Sequence, residues 1–437
     1  MSARLGLALE LVVYNLVLAA LLPALAGWLG WRLLVQRKPI GAWRERLGMV
    51  RRLPAGPGPR IWLHAVSAGE MGAAKPVVDA LREVFPEAGI AVSTQTPTGM
   101  AVAKKSCGAA DYLFYLPFDW PDCMGLTLWR LRPDLLVVME KELWPNLLGL
   151  ARLTGMRVLV VNGRVSDRMM RRSRWLPGFV QWLHRLPERM CVQSEEDGRR
   201  LNRLGVPRDR VVVAGNTKVD NLAQRDAEGE ALLAGELSVA AGEAWLVAGS
   251  THAGEEEALV DAFATIRETI PAARLLLAPR HLERVAEVSA MVAERGMTVV
   301  RRSDGEAGQT PEAVVILDTM GELRAAYGFA AAGYVGGTLV PVGGHNLLEP
   351  VAAGRPVLFG PHTEDCADVA DLVREAGVGF RVSGAEELAE EFVRIAGDGA
   401  LRKKVAARAG ALMEEQRGAA ARCAGEAAKL LAWEQKA

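Results

Sequence analysis

Twelve short apolar runs, separated by stretches that read as helix, constrain this chain more than any other feature. Six come first: Ile61–Val66, Ile90–Thr94, Leu135–Met139, Val158–Val161, Met190–Gln193 and Val211–Ala214. Six more follow: Trp245–Ala248, Leu275–Ala278, Val299–Arg301, Val314–Leu317, Gly333–Gly336 and Pro356–Phe359. Runs this short and continuously apolar predict strands buried on both faces, as in parallel sheets flanked by crossover helices. Between the two sets, residues 221–243 are rich in Ala, Glu and Gly and hold no strand-like run. The expected fold is α/β: two Rossmann-like domains facing a cleft, at 61–220 and 244–385, joined by a 221–243 linker. Ligands of such sheets bind outside the carboxyl ends of the strands. From 386 to 437 the sequence reads as helix, and it shows no internal repeat.

The length agrees, since 437 residues make two or three domains at roughly 150 residues each. Hydrophobic residues make up 50% and charged residues 24%, a globular composition that rules out disorder. Fifty-two Lys and Arg cancel fifty-two Asp and Glu. A nucleic-acid binder ordinarily carries a basic excess, so no nucleic-acid partner is expected. The five cysteines (Cys107, Cys123, Cys191, Cys366, Cys423) are odd in number, widely spaced and form no CxxC pair. That argues against structural zinc and a disulfide framework, and it fits a reducing compartment.

The N-terminus stands apart. Leu11 to Trp31 is 21 residues without a charge, about the length that spans the hydrocarbon core as a helix. Asn15 and Pro23 weaken the signal, while Trp28 and Trp31 look like interface anchors. A cleaved signal peptide is the rival reading, but no small-residue cleavage site follows Trp31. An amphipathic or buried helix is the other. Residues 1–35 are thus expected as a membrane anchor helix and 36–60 as a basic juxtamembrane linker. Arg32 to Arg60 holds eight basic residues against Glu45, which places everything after residue 32 in the cytoplasm. The Pro/Gly-rich spacer Pro54–Pro59 requires no contact between the anchor and the first domain.

Several chemistries are excluded by motif. The chain has no GxxxxGK[ST], no GxGxxG after a strand and no HExxH, and its six histidines are scattered without metal-ligand spacing. In Leu63-His-Ala-Val-Ser-Ala-Gly-Glu70, a strand runs into a helix, and Ser67 with Glu70 fits a capping box. Glu70 is equally a carboxylate at a helix start, able to act as a general base. Ser67 as a nucleophile elbow is the weaker third reading, since the first Gly of that motif is missing. Met139-Glu-Lys-Glu142-Leu-Trp-Pro-Asn146 ends another strand with two carboxylates that are either solvated or ligand-facing.

In the second half, Ser250-Thr-His252 precedes an acidic turn, Thr319-Met-Gly-Glu322 fits a capping box, and Gly343-Gly-His-Asn346-Leu-Leu-Glu349 leads into a cap. Each is an ordinary helix start, and together they can face a phosphate. Arg280, after a strand in Leu277-Ala-Pro-Arg-His281, is a natural phosphate partner. Finally, Arg164 to Arg189 sets seven arginines against Asp167 and Glu188, interleaved with Met169, Met170, Trp175, Phe179, Trp182 and Leu183. A solvated helix face is the plain reading, and an interfacial surface for anionic lipid is the sharper one.

Taken in order, HAVSAGE, STQTPTG, ELWPN, QSEED, GNTKVD, GSTHAGEEE, APRH, LDTMGEL, VGGTLVPVGGHNLLEP and FGPHTED resemble the bacterial 3-deoxy-D-manno-octulosonic acid (Kdo) transferases. The resemblance runs from the anchor to about residue 380. It implies a B-type glycosyltransferase fold and inverting transfer of Kdo from CMP-Kdo to a lipid A precursor (lipid IVA) in lipopolysaccharide core assembly. It implies a single-pass protein of the bacterial inner membrane with its catalytic domains on the cytoplasmic face. Glu70 matches the family's general base, and Glu142 and Lys218 match its transition-state stabilisers. For CMP, the matching positions are Pro279, Arg280, Met320, Gly321, Glu322, Asn346, Leu347, Leu348 and Glu349. Gln95 and Ala68 depart from the pattern without changing a charge. No metal and no cofactor are implied. The alternatives are a different nucleotide-sugar glycosyltransferase of this fold, or a non-catalytic lipid- or nucleotide-binding membrane protein.

Overall fold

The computed structural model describes residues 2–34, 42–53, 56–222, 227–305, 310 and 312–432. The chain divides into two compact units: residues 1–221 with 416–437, and residues 222–415.

The first unit is a seven-stranded parallel sheet of β1 (Arg60–His64), β2 (Gly89–Thr94), β3 (Tyr112–Tyr115), β4 (Leu135–Met139), β5 (Arg157–Gly163), β6 (Arg189–Val192) and β7 (Val211–Val213). Their order is β3-β2-β1-β4-β5-β6-β7, so the direction of winding reverses between β1 and β4. Alternate residues supply the two faces. Ile61, Leu63, Val137 and Val161 pack with the helices Ala68–Val84 and Ala419–Leu431. Trp62, Leu136, Val138 and Val158 pack with Leu147, Leu148 and Ala151 of the helix Pro145–Thr154. Both faces are dry, which explains the unbroken apolar runs.

The second unit repeats the plan with β8 (Ala244–Thr251), β9 (Ala273–Pro279), β10 (Val299–Arg301), β11 (Val314–Ile316), β12 (Ala332–Val335), β13 (Val357–Phe359) and β14 (Gly379–Arg381). The order is β10-β11-β9-β8-β12-β13-β14, and the winding reverses between β8 and β12. Leu246, Leu275 and Ile316 pack with Leu259, Phe263 and Phe392 on one face, while Trp245, Val247 and Leu276 pack with Tyr327 on the other.

Three segments differ from expectation. The 221–243 stretch lies partly outside the described residues (223–226); the rest is no free linker, because the helix Ala227–Glu236 packs on Leu323–Phe329 and buries Leu233 in the second core. Its absence of strand signal reflected a helix. The 36–60 linker lies partly outside the described residues (36–41 and 54–55). What is described includes the short helix Trp43–Arg46, where Arg46 is buried and donates to Leu116 O at 2.8 Å, and Glu45 accepts from Tyr115 N. The C-terminal helices divide between the units. Ala385–Gly397 covers the helix Glu255–Thr269, whereas Ala419–Leu431 returns to lie against Ala68–Val84. Asp220 holds that return by accepting from Gly418 N and Ala420 N, both at 2.7 Å.

The N-terminal helix Ser2–Leu34 contains a window, Leu5–Pro23, of mean hydropathy 2.2 that is long and apolar enough to cross a membrane. It is not separated from the first unit. Leu11 is buried against Gly149, where a Cβ would lie 2.6 Å from Leu11 Cδ2. Asn15 and Asn146 exchange side-chain amide hydrogen bonds of 2.7 and 2.9 Å, and Tyr14 donates to Asp119 Oδ2 at 3.3 Å. Leu9, Val13, Leu16 and Val17 stay exposed. Trp31 is exposed, and the Trp28 side chain lies outside the described residues.

Candidate active site

In the first unit, the winding reversal brings the carboxyl ends of β1 and β4 side by side, where a parallel sheet opens a crevice. The chain leaving β1 turns at Ser67, whose hydroxyl accepts from Glu70 N and starts the helix Ala68–Val84. Glu70 reaches back and accepts from Val66 N at 2.6 Å, one residue further than an ordinary capping box. The carboxylate is buried at 9% exposure. Burial pushes its pKa up to about 7, the Val66 N–H offsets part of this, and the like charges of Glu140 and Glu142 push the same way. Glu70 is thereby half ionised near neutral pH.

Glu140 and Glu142 follow β4. Glu140 sits in the left-handed region at φ +54, which few side chains adopt, and its N–H donates to Val161 O. That turn aims its carboxylate at Lys218, with Nζ 3.0 Å from Oε1. Glu142 is raised above the ordinary carboxylate range by burial, with Lys141 pulling it down and Glu140 pushing it up. Asn162, also left-handed at φ +58, is fully buried at the end of β5. Its Oδ1 accepts from Thr217 N at 3.0 Å, and Thr217 Oγ1 donates to Ala73 O at 2.9 Å. These bonds fix the start of the helix Thr217–Leu222, and with it Lys218, against the Glu70 helix. Glu70, Glu142 and Lys218 thus share one cluster, to which the structure adds Glu140.

The second unit places its polar groups at the ends of β8, β9 and β12, which are neighbours around its winding reversal. Glu255 organises this edge. It is fully buried and accepts from His252 N, Gly337 N, Thr338 N, Leu339 N and Tyr334 Oη, all within 3.0 Å. The loop after β12 is therefore wrapped around a carboxylate supplied after β8. Arg280 follows Pro279 at the end of β9, anchored by its backbone N–H on Thr251 O and exposed at its side chain. Arg324 and Arg280 both favour the ionised form of Glu349, which burial raises above its ordinary range and Asn346 helps to offset. Asn346 Nδ2 donates to Glu349 Oε1 at 3.3 Å.

The expected caps are displaced. The helix Leu323–Phe329 begins after Glu322, and Thr319 donates to the Glu322 side chain instead of capping the backbone. The helix Leu348–Ala352 begins after Leu347, with Asn346 Oδ1 accepting from Leu348 N at 3.3 Å. With seven and five residues, these helices sum few peptide dipoles. Leu347 and Leu348 are buried, and Met320 is exposed beside Gly321, which takes φ +95.

The histidines are not all scattered. His252, His281 and His345 follow β8, β9 and β12, and the sheet order brings them together. His252 Nε2 and His345 Nε2 lie 2.7 Å apart, so one donates and the other must be neutral. Burial, reinforced by His252 and Arg280, holds His345 down to about 4.

A family model, "3-Deoxy-D-manno-octulosonic-acid transferase (kdotransferase)", matches residues 41–221. The 3-deoxy-D-manno-octulosonic acid transferase of Bordetella pertussis is 34% identical over 422 residues, covering 91% of this chain and 96% of that one. This chain belongs to the Kdo transferase family. The Haemophilus influenzae transferase is 31% identical, over 80% of this chain and 82% of its own. A UDP-GlcNAc 2-epimerase of Neisseria meningitidis, solved with UDP-GlcNAc, shares the fold at TM-score 0.60 and 12% identity, over 86% of this chain and 100% of that one. The transferase thus has the B-type glycosyltransferase architecture of two parallel-sheet α/β domains.

Reading its residues in order missed Glu140, Asn162 and Glu255 as organisers. A signal for the last was present, because the Gly336-Gly337-Thr338 turn leaves backbone N–H groups that need a buried acceptor.

Proposed function

We propose that this transferase moves Kdo from CMP-Kdo to a lipid A precursor, lipid IVA, with inversion at the transferred carbon. The observation that carries the reading is Glu70, a buried carboxylate at the switch point of the first sheet whose pKa is raised to about 7. Glu70 accepts the proton of the acceptor hydroxyl as that oxygen bonds to the Kdo carbon. The bond from that carbon to the phosphate oxygen breaks, and CMP leaves with the electron pair. A base with pKa near the working pH suits this step, which contributes roughly 100- to 10,000-fold. Glu142 and Lys218 stabilise charge as it develops, with Glu140 orienting the Lys218 ammonium. In the second unit, Arg280 meets the CMP phosphate, and Pro279, Met320, Gly321, Glu322 and Asn346 to Glu349 form the nucleotide's surroundings. No step calls for a metal or a cofactor.

The helix Ser2–Leu34 acts as the membrane anchor, single-pass, with both units on the cytoplasmic face of the bacterial inner membrane. The basic excess after Arg32 supports this orientation. The Asn15–Asn146 contacts support a first unit held against the bilayer rather than hung from a tether.

The test is incubation of the full-length protein with CMP-Kdo generated in situ and a tetraacylated lipid A precursor, read by mass. A Kdo increment on the lipid is expected. Transfer from another nucleotide sugar, with none from CMP-Kdo, would overturn the assignment.

A further inference from the structure

The second unit carries a pair of side chains to which the chemistry above gives no task. His252 and His345 follow β8 and β12, the neighbours between which the winding reverses. Their rings stack at 5.1 Å between centroids and 12° between planes, with the Nε2 atoms 2.7 Å apart. The backbone is shaped for this contact. Glu255 accepts from His252 N and from the N–H groups that follow Gly336, which ties both loops to one buried carboxylate. Gly344 N then donates to Gly337 O at 2.7 Å, and this closed turn brings His345 over Gly337. A Cβ at Gly337, which takes φ +70, would crowd His345 Nε2 at 3.2 Å, so the position needs glycine.

Two observations limit what the pair binds. Nitrogens held roughly 2.0–2.1 Å from one tetrahedral zinc keep about 3.3 Å between them. A separation of 2.7 Å is that of a hydrogen bond and not of two metal ligands. The same hydrogen bond fixes the protons. One ring donates from Nε2, and the ring that accepts therefore carries its own proton on Nδ1. Neither Nδ1 has a hydrogen-bond partner among the described residues, and both rings are half-buried. The pair thus keeps one N–H donor free for a ligand. Arg280, after the neighbouring β9, is close enough that its charge acts on both rings. A free donor beside a guanidinium suits an anion.

CMP-Kdo presents two anions at one carbon. The carbon that is transferred bears both the phosphate ester oxygen and a carboxylate, and Arg280 is assigned to the phosphate. We propose that the His252–His345 pair binds the carboxylate, so that the second unit selects a nucleotide sugar with an acid on its anomeric carbon over an aldose. The proposal rests on the donor named above and adds the residues that select it. His281 stands outside the pair. It meets the His252 ring edge-on at 5.7 Å and is exposed, with Glu283 as its own carboxylate at 3.8 Å.

The test uses the full-length protein in neutral detergent micelles. The variants are His252→Phe, His345→Phe and the double H252F/H345F, since phenylalanine keeps a stacked ring and removes the nitrogens. Displacement of labelled CMP is measured with CMP and with freshly made CMP-Kdo, both without acceptor, and initial rates then give the two KM values. CMP lacks the carboxylate, so its affinity should stay within about twofold, which also shows that the second unit is folded. CMP-Kdo affinity should fall at least about tenfold in the double variant, as for a lost hydrogen bond to a charged group, and part of the way in each single. The CMP-Kdo KM should rise in step while the acceptor KM stays fixed. Equal losses of CMP and CMP-Kdo in the single variants overturn the proposal, since the pair then serves the phosphate or the fold. Unchanged CMP-Kdo affinity in the double variant overturns it as well and leaves the transfer reaction standing. A selective loss of CMP-Kdo in a protein that transfers no Kdo refutes the activity and leaves the carboxylate site standing.

Discussion

Lys218 Nζ lies 3.0 Å from Glu140 Oε1, and Glu140 reaches it only from a left-handed backbone. A side chain in that region costs roughly 1–2 kcal/mol, which glycine avoids. Glu140→Gly should therefore leave the melting temperature unchanged or raise it, while transfer falls at least tenfold as Lys218 loses its partner. Paired measurements of melting and kcat/KM decide this. Full activity in the glycine variant would make the ion pair a structural contact only.

The pH profile reports on Glu70. With its pKa raised to about 7, the carboxylate gains a proton below neutrality and cannot accept another. The logarithm of kcat/KM should thus fall with unit slope below about pH 7. Glu142→Gln removes a like charge that raises Glu70, so the break should move to lower pH. Glu70→Gln should lower transfer by roughly 100- to 10,000-fold on the plateau above pH 7, with the difference shrinking as pH falls, while CMP binding persists. A break that ignores Glu142→Gln would assign it to another group.

Arg280→Ala should weaken CMP binding by about 1.5–3 kcal/mol, the worth of a charge-assisted contact. Its guanidinium is exposed, so the melting temperature should stay put. Calorimetric titration with CMP separates the outcomes, and an unchanged affinity with a lower melting point would make Arg280 structural.

His345 gives the second unit an acid sensitivity. Its folded pKa is about 4, below the ordinary 6.5, so the unfolded chain binds more protons between those values. Its contribution to stability is complete above pH 6.5 and is lost as pH falls toward 4. Wild type should outlast His345→Asn in thermal melts at pH 7.5, with the margin shrinking by pH 4.5. A constant margin would show that the His252 contact does not depend on charge.

The N-terminal helix makes a contact that an apolar run does not announce. Asn15→Leu removes both amide bonds and leaves the buried Asn146 Oδ1 without its donor, while Asn146 Nδ2 keeps Asp119 O, at a cost of about 1–2 kcal/mol. Deleting residues 1–32 should lower the melting temperature of the first unit and leave CMP binding by the second unit intact. Equal melting of the full and shortened chains would restore the view of a free anchor.

Strands were legible because burial on both faces writes them as unbroken apolar runs, and each of the twelve runs lies on a strand of the two sheets. Two short edge strands were not seen. Tyr112–Tyr115 mixes tyrosines with its apolar residues, and Gly379–Arg381 sets its one apolar residue between a glycine and an arginine. The Glu70, Glu142 and Lys218 cluster was legible through motif matching, since nothing local links positions so far apart in the chain. Glu140 and Asn162 escaped because their importance lies in positive φ, which neither residue type announces. Asn15 escaped for the opposite reason. In an apolar run it reads as a flaw, until its partner on another helix is known.

The return of the last helix to the first unit also orders events during synthesis. Residues 222–415 form their unit from one uninterrupted stretch, whereas the first unit needs Ala419–Leu431 to cover Ala68–Val84. Chains emerge from the ribosome N-terminus first, and domains fold as units. The half of the protein made first must therefore wait, with one helix uncovered, until the half made second has left the ribosome.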